Sequence, residues 1–305
     1  MKRWHILPSL VVAIIFAVLA GSAALDEKQR SWIFQPSDRS WGASAELAKG
    51  MQNVWIAFNS PTTGLPARLH GLWLPADASP SGAQDGGAPA PLLLYLHGAR
   101  WNVEGSAARI RHMQQLGFSV LAIDYRGFGK SSPGLPSETT AYEDVRAAWD
   151  WLAARHPGQP RYIFGHSLGG AVAIELAASV QDEAGTIVES TFTSIADVFD
   201  TMTWGWLPLR PLITQHFDSL AKVAHLGAPL LVMHGASDHL ILPALGRKLF
   251  DAARGPKAFV LIQGGSHYNT NTLGQAQYRA VLAKLFGIGR RSAALAQPPA
   301  GPLRS

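Results

Sequence analysis

The chain has no cysteine in 305 residues. Disulfides, thiolate zinc sites and cysteine nucleophiles are therefore excluded. The histidines show no H-E-x-x-H or comparable metal spacing, so no metal is expected. The stretch GFGKSS (127–132) ends like a phosphate loop, but Asp124 stands where that motif needs its first glycine. A basic surface is lacking too. Five of the 26 lysines and arginines (Lys2, Arg3, Arg290, Arg291 and Arg304) lie at the two ends, leaving 21 basic against 21 acidic residues over 4–289. A formally neutral body gives no electrostatic footprint for nucleic acid.

Apolar residues make up 47% of the chain and charged residues 15%, a balance that supports a large core and one globular domain. One long apolar run is present. Lys2 and Arg3 precede ILPSLVVAIIFAVLAGSAAL, with Leu10 to Ala20 unbroken. Residues 1–25 are expected to be a signal peptide or a membrane anchor, with cleavage near Ser22 to Ala24 in the first case. Either form leaves the body outside the cytoplasm, because the positive charges stay inside. Residues 26–50 read as a polar connector, and 289–305 as a disordered tail.

VWIAFNS (54–60) and RLHGLWLP (68–75) read as an antiparallel strand pair, followed by a Gly/Pro/Ala-rich surface loop. From residue 92 the rhythm changes. LLLYLHG, FSVLAIDY, YIFGHS, GTIVES, PLLVMHG and KAFVLIQ are short apolar runs without alternation, as strands buried on both faces require. Helical stretches lie between them; in residues 139–156 Tyr142, Val145, Ala148, Trp149 and Leu152 recur at helical spacing. A mostly parallel twisted sheet with helices on both faces is expected over residues 51–288.

Sites in such sheets form at the carboxyl ends of strands. Gly165-His166-Ser167-Leu168-Gly169 fits G-x-S-x-G between a strand and a helix, the sharp turn that lifts a serine hydroxyl clear of the sheet. A serine nucleophile needs a base and a group that orients it. In the order Ser, acid, His, the base is His267 in GGSHYN and the acid is Asp238 in HGASDH, with Glu189 as the alternative acid. Backbone donors for the tetrahedral oxygen are expected from Leu168 and from Ala99 in the loop after LLLYLHG. Asp124 is read as a partner of loop amides, His97 as a residue that shapes its loop, and His166 as pointing away.

The set YLHG, AIDYRGFGKS, GHSLGG, ESTFTS, HGASDH and GGSHY resembles the α/β-hydrolase superfamily over residues 51–288. Within it the chain is similar to membrane-associated serine hydrolases whose relatives cleave fatty acyl thioesters or lysophospholipids. The resemblance implies the same Ser167, Asp238 and His267 roles. Relatives often carry Asn-Ala-Gly after the His-Gly pair, where this chain has Ala99-Arg100-Trp101, so pocket shape is expected to differ. Arg100 is a candidate for the pocket mouth.

Residues 191–218 occupy the place of a short lid. Their aromatic and aliphatic groups point to an acyl-chain wall, with Trp204 and Trp206 expected to contact the chain. The expected activity is hydrolysis of a carboxylic ester or thioester, on a small-molecule or lipid-like substrate, with no cofactor. A peptidase, amidase or perhydrolase on the same triad, and a non-catalytic binding protein of this fold, are the alternatives. Fold and triad alone do not fix the substrate.

Overall fold

The computed structural model describes residues 6–38, 44–77 and 89–289, with side chains from residue 20 onward. Eight strands form one sheet in the order β1-β2-β4-β3-β5-β6-β7-β8. They are β1 Gln52–Asn59, β2 Pro66–Leu74, β3 Leu92–Leu96, β4 Ser119–Ile123, β5 Arg161–His166, β6 Glu183–Glu189, β7 Leu230–Gly235 and β8 Lys257–Ile262. β1 and β2 pair antiparallel, β2 joins β4 antiparallel, and all remaining pairings are parallel.

The central strands are apolar throughout because both of their faces are covered. Every residue of LLLYL in β3 and of SVLAI in β4 is buried. Alternate side chains enter opposite cores. Leu92, Leu94 and Leu96 join Ile163, Trp149 and Ile174 on one side. Leu93 and Tyr95 join Phe164, Ile110 and Leu282 on the other. Each fully buried aliphatic or aromatic side chain contributes about 1.5–3 kcal/mol relative to exposure.

The helices fall on the two faces as the connections demand. They are α3 Ala107–Gln115, α4 Glu138–Arg155, α5 Leu168–Ser179, α8 Pro243–Ala252 and α10 Gln275–Leu285, with shorter α2 Ser44–Leu47, α6 Ile195–Asp200, α7 Ser219–Val223 and α9 Thr270–Leu273. Helix α4 is started by Ser137, whose hydroxyl accepts from the Thr140 amide while Thr140 reaches back to the Ser137 amide. That reciprocal cap satisfies two donors that a helix start otherwise leaves open. Its inward face holds Val145, Ala148, Trp149 and Leu152, and also Asp144, which accepts from Arg126 Nε at 2.6 Å.

The N-terminal region differs from the expected connector. Helix α1 runs from Ile6 to Phe34. It stops where Gln35 takes φ +46° and Pro36 follows. Residues 26–38 dock on the domain. Gln29 donates to the Leu212 carbonyl at 2.6 Å and accepts from the Thr214 amide at 2.9 Å. Arg30 Nε donates to the Pro136 carbonyl at 2.9 Å, and Phe34 is fully buried. Polar residues that look like a connector in sequence are thus bonded to distant backbone. Among the described residues no helix is long and apolar enough to cross a membrane. The side chains of 6–19, which carry most of the apolar run, and the tail from residue 290 lie outside the described residues.

Candidate active site

Ser167 sits between β5 and α5 with φ +56° and ψ −122°. A non-glycine residue there is strained by about 1–3 kcal/mol, and the surroundings must hold it. They do so by close backbone contact. A Cβ on Gly165 would collide with the Gly169 carbonyl, and one on Gly169 with the Leu96 carbonyl. The Ser167 amide donates to the Glu189 carbonyl at 2.9 Å, and Thr191 Oγ1 donates to the Ser167 carbonyl at 2.8 Å.

The structure brings Ser167, His267 and Asp238 together. His267 Nε2 lies 3.0 Å from Ser167 Oγ, and His267 Nδ1 lies 2.9 Å from Asp238 Oδ2. The serine follows β5, the acid follows β7 and the histidine follows β8, so parallel strands deliver all three to one edge of the sheet. Asp238 Oδ1 also accepts from the amides of Leu240 and Ile241, at 3.0 and 2.9 Å. Burial pushes its carboxyl up. The hydrogen bonds from His234 and His267, the His267 charge and the Ile241 amide outweigh burial and hold it well below the usual carboxylate range. Asp238 is therefore ionised at neutral pH, with Oδ2 placed to accept from His267 Nδ1.

Glu189, the alternative acid, is fully buried but committed elsewhere. It accepts from Arg109 Nε at 3.0 Å and from the Tyr278 hydroxyl at 2.6 Å. Arg109 was not singled out from the sequence. Its guanidinium links Glu189 to the Tyr268 carbonyl at 2.9 Å, which braces the loop that carries His267. Among the described residues His166 makes no hydrogen bond to Ser167 Oγ; its Nε2 lies 3.0 Å from the His267 carbonyl, and it lines the same cavity as Ser167 and His267. Burial, then the Arg109 charge, hold the His166 imidazole well below its ordinary value and keep it neutral. Asp124 accepts from the Val103 amide at 2.6 Å and lies 3.0 Å from His70 Nδ1, the loop-ordering role expected of it.

Among the described residues the Ala99 amide has no acceptor. The Leu168 amide opens α5, where a helix leaves its first donors unused. Ala99 and Leu168 both line a cavity of about 210 Å³ with Ser167 and His267. Arg100 lines it as well. Arg100 and the next residue, Trp101, adopt φ of +67° and +25°.

Trp204 and Trp206 require a correction. They are 65% and 74% exposed and do not line the cavity. The turn around Gly205 packs so tightly on Asp200 that a Cβ would meet the Asp200 carbonyl, and the flanking tryptophans are thrown outward. Ile195, Val198 and Met202, from α6 and the turn after it, line the wall instead. Trp32 and Ile33 from the end of α1 line it as well. The apolar pair Trp32-Ile33 after a polar stretch is the one local sequence feature that coincides with this wall, and it does not say what the pair packs against.

Residues 87–220 match the family described as serine aminopeptidase, S33. A protein of Mycobacterium tuberculosis strain H37Rv is 34% identical over 276 residues, covering 90% of this chain and 92% of its own. The lysophosphatidylserine lipase ABHD12 of Rattus norvegicus is 32% identical over 188 residues, covering 55% of this chain and 47% of its own length. The Pyrococcus furiosus esterase Pf2001 superposes with a TM-score of 0.62 at 17% identity, over 83% of this chain and 96% of that one. A Mycobacterium tuberculosis puromycin-hydrolyzing peptidase also reaches 0.62 at 16% identity, over 78% of this chain and 40% of that one. With an eight-stranded, mostly parallel sheet, the family match and kinship over 90% of its residues, the chain belongs to the α/β-hydrolase superfamily and is a hydrolase of that type.

Proposed function

We propose that the protein is a serine hydrolase that cleaves carboxylic esters or thioesters through an acyl-enzyme. The observation that carries this reading is the run of contacts from Asp238 through His267 to Ser167, at 2.9 and 3.0 Å, ending on a strained elbow. Ser167 Oγ attacks the acyl carbon, and His267 Nε2 takes the hydroxyl proton. The Ala99 and Leu168 amides stabilise the tetrahedral oxygen. Losing one such donor typically costs about 2.7–4 kcal/mol in the transition state. As the bond to the leaving group breaks, His267 returns the proton to the departing oxygen or sulfur. Water then attacks the acyl-serine, with His267 as base, and releases the acid.

The wall of Ile33, Ile195, Val198 and Met202 is apolar and suits an acyl chain. A lipid-like ester fits it, in line with the relative described as a lysophosphatidylserine lipase. Arg100, at the mouth, is proposed to meet the leaving group. The run Leu10 to Ala20 is proposed as an anchor or export signal that places the hydrolase domain outside the cytoplasm. Peptide or amide cleavage is the second reading, favoured by the match to a serine aminopeptidase family.

Two measurements test the proposal. A fluorophosphonate probe should label Ser167, and a panel of esters, thioesters and amides of graded acyl length should rank esters or thioesters first. Absence of labelling with no turnover of any class would leave a binding protein; amides ranking first would favour the peptidase.

A further inference from the structure

The loop that carries the Ala99 amide is held from two sides. On the inner side Asp124 accepts from the Val103 amide at 2.6 Å. On the outer side the loop meets residues 34–38, the end of α1 and the strap that follows it. The Phe34 carbonyl accepts from the Arg100 amide at 2.8 Å. Asn102 Nδ2 donates to the Asp38 carbonyl at 3.0 Å; the strap is itself tied to the segment after β4, where the Gly129 amide donates to the Ser37 carbonyl at 3.2 Å.

The Phe34 ring is fully buried, edge-on to Phe128 at 6.5 Å and to Phe217 at 5.8 Å. Phe128 in turn packs on His97, which begins the loop, with ring centres 4.9 Å apart. Arg100 and Trp101 are consecutive non-glycine residues with positive φ. Such a pair persists only where its surroundings over-determine it. The Phe34 bond falls on the first of the two, one residue after the Ala99 donor.

We infer that residues 34–38 position the oxyanion donor. The Phe34 carbonyl, seated by its buried ring, holds Arg100 in the left-handed region and so aims the Ala99 amide at the tetrahedral oxygen. The end of the N-terminal helix then belongs to the scaffold of the active site, whatever its first turns do. This rests on the serine hydrolase reading. Phe34 does not itself line the cavity, so its effect reaches the substrate through the loop. Misplaced donors weaken transition-state binding more than ground-state binding, and kcat falls rather than KM rising.

The test uses the full-length protein in detergent, with Phe34→Ala, Phe34→Leu and Asn102→Ser. Asn102 Oδ1 also accepts from the Gly105 amide at 3.3 Å, a cap that a serine hydroxyl can keep, while the Nδ2 donor to Asp38 is lost. Stoichiometric fluorophosphonate labelling counts folded sites. Turnover of a short activated ester gives kcat and KM per labelled site. A trifluoromethyl ketone, which forms a tetrahedral adduct, reports oxyanion binding.

Phe34→Ala should lower kcat per site about tenfold or more with KM within about twofold, and ketone affinity should fall in step. Phe34→Leu should recover most of the loss, and Asn102→Ser should show a smaller fall of the same kind. Unchanged kcat and ketone affinity per site in Phe34→Ala, with only a lower Tm, would overturn the inference. If Phe34→Ala yields no folded protein, Asn102→Ser decides by the same two readouts. A wild-type chain inert to both probe and esters would overturn the hydrolase reading itself, and this inference with it.

Discussion

His267 Nε2 lies 3.0 Å from Ser167 Oγ although a hundred positions separate the two residues. Only the parallel sheet brings them together, since each follows a different strand at the same edge. The hydroxyl is within range to pass its proton directly to the imidazole. Ser167→Ala should therefore abolish probe labelling and turnover of small activated esters, leaving a trace of rate over water, while circular dichroism and Tm stay close to wild type. Near wild-type turnover in the folded variant would remove the serine from the mechanism.

The two buried carboxylates make opposite predictions. Asp238 Oδ2 lies 2.9 Å from His267 Nδ1 and is proposed to orient the ring, whereas Glu189 is bonded to Arg109 and Tyr278. Asp238→Asn should lower kcat about 10⁴-fold, because an amide favours the wrong imidazole tautomer. Glu189→Gln should act mainly on stability, since it weakens a buried ion pair with Arg109. Kinetics per labelled site, set beside thermal melts, separate the two effects. The reverse ranking would move the orienting role to Glu189.

Much of this was legible in the sequence, for a physical reason. Strands buried on both faces are apolar without alternation, and LLLYL and SVLAI, each short and bounded by turn residues, fit that pattern. The elbow glycines were legible because backbone contacts leave no room for a Cβ. The end of α1 was not. DEKQRS reads as a solvated stretch, and nothing local reveals that Gln29 and Arg30 bond backbone at 212–214 and 136. Arg109 was hidden in the same way, since its partners Glu189 and Tyr268 are distant in the chain. The exposure of Trp204 and Trp206 turns on one tight turn at Gly205, and composition does not report where a turn throws its flanks.

The acyl wall gives a prediction that follows the corrected lining. Each methylene buried between Val198, Met202 and Ile33 adds roughly 0.8 kcal/mol, or about fourfold in kcat/KM. The rate should climb from two-carbon acyl groups until the cavity is full. Val198→Phe should shorten the preferred chain while leaving acetate esters near the wild-type rate. Trp204→Ala and Trp206→Ala should leave the length profile unchanged. A wild-type profile that peaks at acetate would show that the acyl chain lies elsewhere.

Stability in acid offers a test away from the site. Glu143 accepts from Ser60 Oγ at 2.7 Å, the Thr62 amide at 2.6 Å and Arg126 at 2.6 Å. Burial raises its carboxyl, but the bonds from Thr62, Ser60 and Arg126 win and lower it to about 2. The unfolded chain therefore binds a proton more readily than the folded one at pH values between about 2 and the ordinary glutamate range near 4.3. Stability from these bonds is complete above that range and is lost as pH falls through it towards about 2. Glu143→Gln removes the charge at every pH. Its Tm deficit against wild type should be largest at neutral pH and should narrow as the pH is lowered to about 3, where the wild-type contribution is already reduced. Thermal melts of both proteins across that span check it. A deficit that stays constant with pH would mean that the carboxylate charge contributes nothing and that packing alone explains the loss.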